Sequence, residues 1–207
     1  MRRSTVLAQF LLIMTVLFLA FARPADAALL LFDDRDLFLQ AVAEQPWIED
    51  DFNGLDDGYD ANPIFRFMET SFEYSLASSS PVGLMVLGDL ISTVLPKSEI
   101  QFESQSGEIV ALGGDFGLTD YNGVTTPGVL QIGLPDGSTI SRAIDGVASF
   151  VGIVGVGETI SSLSIGAEAN LQLVTATSIV VAATPAPGAL ALFCLLPVGL
   201  RGSRRRG

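Results

Sequence analysis

The sequence contains no histidine, and its only cysteine is Cys194. Without imidazole there is no side chain titrating near neutrality to act as a general base, no Ser-His or Cys-His dyad, and no histidine ligand for zinc. With a single thiol no intramolecular disulfide forms, so a folded body has to be held by packing alone. Basic residues are few and concentrated at the ends. Arg2, Arg3 and Arg23 lie near the start and Arg201, Arg204, Arg205 and Arg206 at the finish, which leaves Arg35, Arg66, Lys97 and Arg142 against the twenty-two acidic residues of 28–184. Four cations cannot form a basic face, and nucleic-acid binding is excluded on that ground. The acidic body suits solubility outside a cell and divalent counterions. No G-x-S-x-G elbow is present, and no carboxylate pair stands out from the other acids. The protein is therefore expected not to be an enzyme, with no catalytic residue, metal ligand or cofactor assigned.

What is present begins with targeting signals. Residues 1–27 have the order of a secretory signal peptide: Arg2 and Arg3, an apolar run from Val6 to Phe21, and Ala25-Asp26-Ala27 as an A-x-A cleavage site. This predicts export through the Sec machinery and a mature chain beginning at Ala28. Residues 184–207 form the counterpart. Pro185-Ala186-Pro187 lacks two amide hydrogens and stops any preceding strand. Gly188 to Leu200 is apolar, and the four terminal arginines resist crossing a bilayer. As a helix the apolar run spans about 20 Å, short of a ~30 Å hydrocarbon core, which suits a transient transmembrane stop better than a lasting anchor.

Hinge, apolar run and arginine cluster in this order resemble the PEP-CTERM sorting signal of bacterial surface proteins, with Pro185-Ala186-Pro187 standing where that family usually has Pro-Glu-Pro. The resemblance implies processing at the hinge by an exosortase-type membrane protease. It also implies an inner-membrane intermediate with Arg201, Arg204, Arg205 and Arg206 on the cytoplasmic side. Delivery to the cell surface or extracellular space, in association with exopolysaccharide, would follow.

Between the signals, residues 28–183 read as one all-β domain. Ala28 to Phe32 is a short apolar strand. Asp33-Asp34-Arg35-Asp36 then precedes Leu37, Phe38, Ala41 and Val42, the pattern of a capped amphipathic helix with acids in its first turn, ending near Gln45-Pro46. Trp47 to Phe52 is extended, and Asn53 to Pro63 is an acidic, turn-rich loop. Ser71 to Leu76 alternates, with Phe72, Tyr74 and Leu76 on one face. Residues 82–96 fit either a strand and loop or a short buried helix. Further strands are predicted at Ile100–Glu103, Glu108–Phe116, Val129–Leu134, Ser138–Ile144, Ser149–Val154, Thr159–Ile165 and Leu171–Ala182. Gly113-Gly114 marks a bulge or close approach, and Pro135-Asp136-Gly137 a hairpin turn. Short strands at even spacing argue for an antiparallel β-sandwich or jelly roll, with Phe72, Tyr74, Leu76, Ile132, Ile140, Ile153 and Ile165 in a common core and Met85 and Phe38 also inside. FDDRDLFLQAV, ALGGDFGL, DGSTIS and ASFVGIVGVGETISSLSIGA resemble β-sandwich domains found upstream of such tails.

Two stretches invite chemistry. Glu49-Asp50-Asp51 with Asp56-Asp57-Gly58-Tyr59-Asp60 could supply oxygen ligands to calcium, although the spacing is not that of an EF-hand. A solvated acidic loop is the plainer reading. GIVGVGET has the glycines of a phosphate loop but no Lys-Ser/Thr ending, and its alternation fits a strand and turn. The leading expectation is a structural or interaction protein of the cell surface or matrix. The alternative is a secreted glycan-binding module, with or without calcium, which exposed aromatics beside the acidic loop would favour.

Overall fold

A computed structural model of the chain describes residues 28–67, 72–106 and 109–184. Ala25 and Ala27 of the cleavage site, and Pro185, Ala186, Pro187, Arg201, Arg204, Arg205 and Arg206 of the tail, lie outside the described residues. Among the described residues no helix is long and apolar enough to cross a membrane.

The elements are, in order, β1 (Ala28–Phe32), α1 (Arg35–Ala41), β2 (Trp47–Asp50), β3 (Gly58–Asp60), β4 (Ile64–Phe67), β5 (Glu73–Ser78), β6 (Leu84–Leu87) and β7 (Leu90–Thr93). They continue as β8 (Ile100–Ser104), β9 (Ile109–Thr119), β10 (Pro127–Gly133), β11 (Thr139–Asp145), β12 (Ser149–Val156), β13 (Ser162–Ala167) and β14 (Leu173–Ala183). Sheet A runs β1-β12-β9-β14-β7-β6-β3, with β2 also paired to β14, and sheet B runs β11-β10-β13-β8-β5-β4. Each pairing within the two sheets is antiparallel.

The sheets face each other over one apolar core, as in an all-β sandwich. Leu112, Ile153, Val174 and Ile179 come from sheet A and Tyr74, Leu76, Phe102, Leu130, Ile132 and Ile165 from sheet B. Each alternates with outward residues, as the two-residue side-chain period of a strand requires. Six of the seven expected core residues are buried, and Ile140 is partly buried against the same cluster.

A second apolar cluster lies on the outside of sheet A, where α1 packs. The Asp34 carboxylate caps α1 by accepting the Leu37 amide at 2.9 Å. Phe38 and Val42 then point at Ala111, Phe150, Val154, Val180 and Ala182. The Phe38 ring meets Phe32 edge-on at 5.9 Å and Phe150 at 5.2 Å. Glycine is required beneath it, because a Cβ on Gly152 would stand 2.5 Å from the Phe38 ring and one on Gly113 would stand 2.6 Å from that of Phe150. Gly113 and Gly152 are direct partners across β9 and β12, so together they leave a bare patch into which the ring fits. Of the two roles expected at Gly113-Gly114, close approach is the one realised.

Strand ends shift by a few residues, β13 (Ser162–Ala167) among them, β4 (Ile64–Phe67) is an additional strand, and three further departures change an element. Helix α1 stops at Ala41, because Val42 leaves helical geometry while its amide still bonds back to Phe38. The acidic loop contains the three-residue strand β3, which adds to the sheet through backbone pairing that its polar residues do not advertise. Residues 82–96 form neither a single strand nor a helix. They fold into the β6–β7 hairpin, turned at Gly88 with a φ of 61°. GIVGVGET is the end of β12 followed by a turn at Gly157, as its alternation predicts.

Candidate functional site

The outer face of sheet A is divided. Beyond α1, Arg35 donates to Asp115 at 2.6 Å and also pairs with Glu49, with its guanidinium 5.9 Å from the Phe150 ring centre. Asp115 also accepts from the Ser178 hydroxyl at 3.0 Å. A register shift in β14 between Ala176 and Ser178 falls at this seam. Past the seam, no helix among the described residues covers the sheet.

On that open half, register places Tyr59, Met85, Ser92, Thr175 and Gly117 in one row across β3, β6, β7, β14 and β9. The row forms part of a groove of about 310 Å³, within the size range of small-ligand clefts. Its apolar lining comes from Met85, Leu87, Leu90 and Leu173, and its hydroxyls from Ser92, Thr119 and Thr175. Tyr121 lines it as well, 60% exposed, and Tyr59, 69% exposed, extends the row by one strand. Met85, expected in the core, is half-buried here because its β6 neighbours Leu84 and Val86 take the inward positions.

The loop carrying Tyr121 is tightly tied. Asp120 Oδ1 accepts the amides of Asn122 at 2.8 Å and Val124 at 2.9 Å, and its Oδ2 accepts Asn122 Nδ2 at 3.3 Å. Backbone bonds from Asp120 to Val124 and from Gly123 to Asp120 close the same turn. The amides of Val124 and then Asn122 hold the Asp120 carboxyl below the usual carboxylate range. An aromatic ring on a pinned turn loses little further freedom when a ligand stacks on it.

The acidic loop does not act as one cluster. Glu49 pairs with Arg35 and Asp50 is buried against Arg66 and Tyr74. Asp51 caps Asn53, Asp60 accepts the Asn62 amide, and Asp57 accepts the Gly88 amide at 2.6 Å. Among the described residues no group of three or more acidic or sulfur side chains converges on a common point. A larger groove of about 410 Å³ lies on sheet B between Gln101, Glu103, Thr139, Ser162 and Ser164. Its one aromatic lining residue, Phe102, is buried in the core and offers no face for stacking.

Sequence reading had not singled out Tyr121, Ser92, Thr119, Thr175 or Asp89. The available signal was Asp120-Tyr121-Asn122-Gly123, a turn sequence with an aromatic inside it, where burial cannot explain the ring.

The sequence matches no protein-family model and no curated protein. Among solved structures the chain is similar to a mutant of a carbohydrate binding module family 29, at 13% identity over 67% of this chain and 94% of that one, with a TM-score of 0.36. A family 29 module mutant complexed with mannohexaose gives 14% identity over 63% and 94%, again with a TM-score of 0.36. At that score the match is a partial one of strand paths, and it transfers neither fold nor ligand to this chain.

Proposed function

We propose that this protein is a non-catalytic glycan-binding module, borne by a chain exported through Sec and directed to the cell surface by its tail. The observation that carries the proposal is the groove on sheet A. A sugar ring presents an apolar C–H face and a rim of hydroxyls. The groove offers part of the complement, with the exposed Tyr121 ring, an apolar lining of Met85, Leu90 and Leu173, and the largely buried hydroxyls of Ser92, Thr119 and Thr175, of which Ser92 donates to the Thr93 carbonyl. Of the exposed aromatics, Tyr59 belongs to the acidic loop itself and Tyr121 lies across the row from it. For localisation, the support is in the sequence: the A-x-A site ending at Ala27 and the Pro185-Ala186-Pro187 hinge before the arginines. Processing by an exosortase-type protease would release the module into the exopolysaccharide layer.

Calorimetric titration of the purified full chain with a panel of neutral oligosaccharides tests the reading. The parent and Tyr121→Phe should bind at least one of them, and Tyr121→Ala should bind more than tenfold more weakly with an unchanged melting temperature. No binding by the parent, or equal binding by the alanine variant, would overturn it.

A further inference from the structure

We infer that the groove on sheet A discriminates by charge and prefers glycans bearing free amino groups to uronic-acid glycans. The inference rests on the glycan-binding reading above and concerns which chemistry the same groove takes. The ionisable residues lining it are Asp89, Asp120 and Tyr121, with no arginine or lysine among them. Asp120 faces its own loop through the bonds to Asn122 and Val124. Asp89 stands exposed on the turn of the β6–β7 hairpin. That turn is fixed in place, since Gly88 takes a φ of 61° and gives its amide to Asp57 at 2.6 Å. The rim carboxylate is thus presented from a pinned backbone.

Among the described residues the other cations are engaged elsewhere or lie off the groove. Arg35 is held by Glu49 and Asp115, Arg66 by Asp50, and Arg142 by Asp33 at 3.3 Å. Among the described residues Lys97 is the fourth cation, and it does not line the groove. A uronate entering the groove would meet the lining carboxylates Asp89 and Asp120 and, among the described residues, no lining cation. A protonated sugar amine would gain a charge-assisted hydrogen bond at Asp89. Because that carboxylate is exposed, the gain should be modest, about three- to fivefold in affinity.

The test titrates the full chain with three tetrasaccharides: N-acetylglucosamine, its de-acetylated glucosamine form, and galacturonic acid, at a pH that keeps the amine protonated. The glucosamine tetramer should bind about three- to fivefold more tightly than the acetylated one, and the uronate most weakly. Asp89→Asn should remove the amine advantage, so that the acetylated and de-acetylated tetramers bind this variant alike. Glu44→Gln, beyond the end of α1, should leave the advantage intact. If the two glucosamine forms bind equally and both still require Tyr121, charge selection is wrong while the glycan reading stands. An amine advantage that survives Asp89→Asn would mean diffuse attraction to the acidic body, and would also overturn the inference. If no tetrasaccharide binds, or if Tyr121 instead supports self-association on sizing, both readings fall.

Discussion

Asp50 and Arg66 join the two sheets through a paired contact: Arg66 Nε reaches Asp50 Oδ2 at 2.5 Å and Nη2 reaches Oδ1 at 2.6 Å. The carboxylate belongs to β2 in sheet A and the guanidinium to β4 in sheet B. Tyr74 adds its hydroxyl to Oδ2, and the Phe52 amide donates to Oδ1 at 2.9 Å. With Asp50 fully buried, removing one partner strands a charge inside the sandwich. Asp50→Ala should cost about 3–5 kcal/mol, whereas Tyr74→Phe should cost about 1–2 kcal/mol. Urea unfolding of the two variants against the parent measures both.

The same cluster sets the pH limits of stability. Burial would raise the Asp50 carboxyl, but bonds from Arg66, Tyr74 and Phe52 outweigh it and hold it below the ordinary range. A depressed folded value means the contribution is present above the unfolded value of about 3.9, and lost as pH falls through the folded one. Tyr74 is pushed well above its ordinary value, by burial first and then by the charge of Asp50. Its contribution holds below an unfolded value of about 10 and is lost as pH rises beyond it. In Asp50→Asn the acid limb should flatten, so that parent and variant converge as pH falls. A constant gap between the two down to strong acid would contradict this assignment.

Gly152 and Phe38 should behave as a coupled pair. Gly152→Ala places a methyl against the ring and should cost roughly 1–3 kcal/mol, as overpacked cores do. Phe38→Leu makes room for the methyl, so the double variant should be less destabilised than the two single losses combined. A double-mutant cycle with no coupling would show that α1 does not seat as described.

Binding should depend on the loop as well as the ring. Asp120→Ala frees the amides of Asn122 and Val124 while leaving Tyr121 in the sequence. Affinity for the glycan should fall about tenfold, with the melting temperature little changed because the loop is exposed. A chelator should leave affinity unchanged, since Glu49, Asp50, Asp51, Asp57 and Asp60 are each engaged separately and no three carboxylates converge among the described residues. Loss of binding on chelation would restore a metal to the mechanism.

Sorting makes its own prediction. Arginine at the bilayer centre costs about 2.5–3.5 kcal/mol per residue on insertion scales. Replacing Arg201, Arg204, Arg205 and Arg206 by Ser should therefore let the chain pass through as a soluble form that keeps its tail. Replacing Pro185 and Pro187 by Ala should leave it in the membrane, unprocessed. Fractionation with intact-mass analysis separates the two results, and parental behaviour in both variants would end the sorting reading.

The sandwich was legible in the sequence wherever one face of a strand meets the core. Phe72, Tyr74 and Leu76 alternate with polar residues, and they are buried as the period predicts. The PDG turn and the Asp34 cap are local signals with local causes, and both appear as expected. What could not be read depends on partners far apart in the chain. Asp50 reads as one acid of a solvated loop until Arg66 and Tyr74 are brought to it, and the alternation around Gly152 shows a strand but not that Phe38 of a distant helix lies over it. The groove is less visible still. It gathers residues from the β6–β7 hairpin, the loop after β9 and the start of β14, and only the register of sheet A makes them neighbours.

Strand β14 pairs with β9, β7 and β2, yet it is the last strand of the described chain to be synthesised. Until Ala183 has emerged, β9 and β7 have no common neighbour and the middle of sheet A is missing. Pairings this distant in sequence close slowly, because the intervening chain must first be ordered. The middle of sheet A therefore cannot close until this final strand is available. A chain truncated before Leu173 should remain unfolded, because the last strand made is the keystone that three earlier ones wait for.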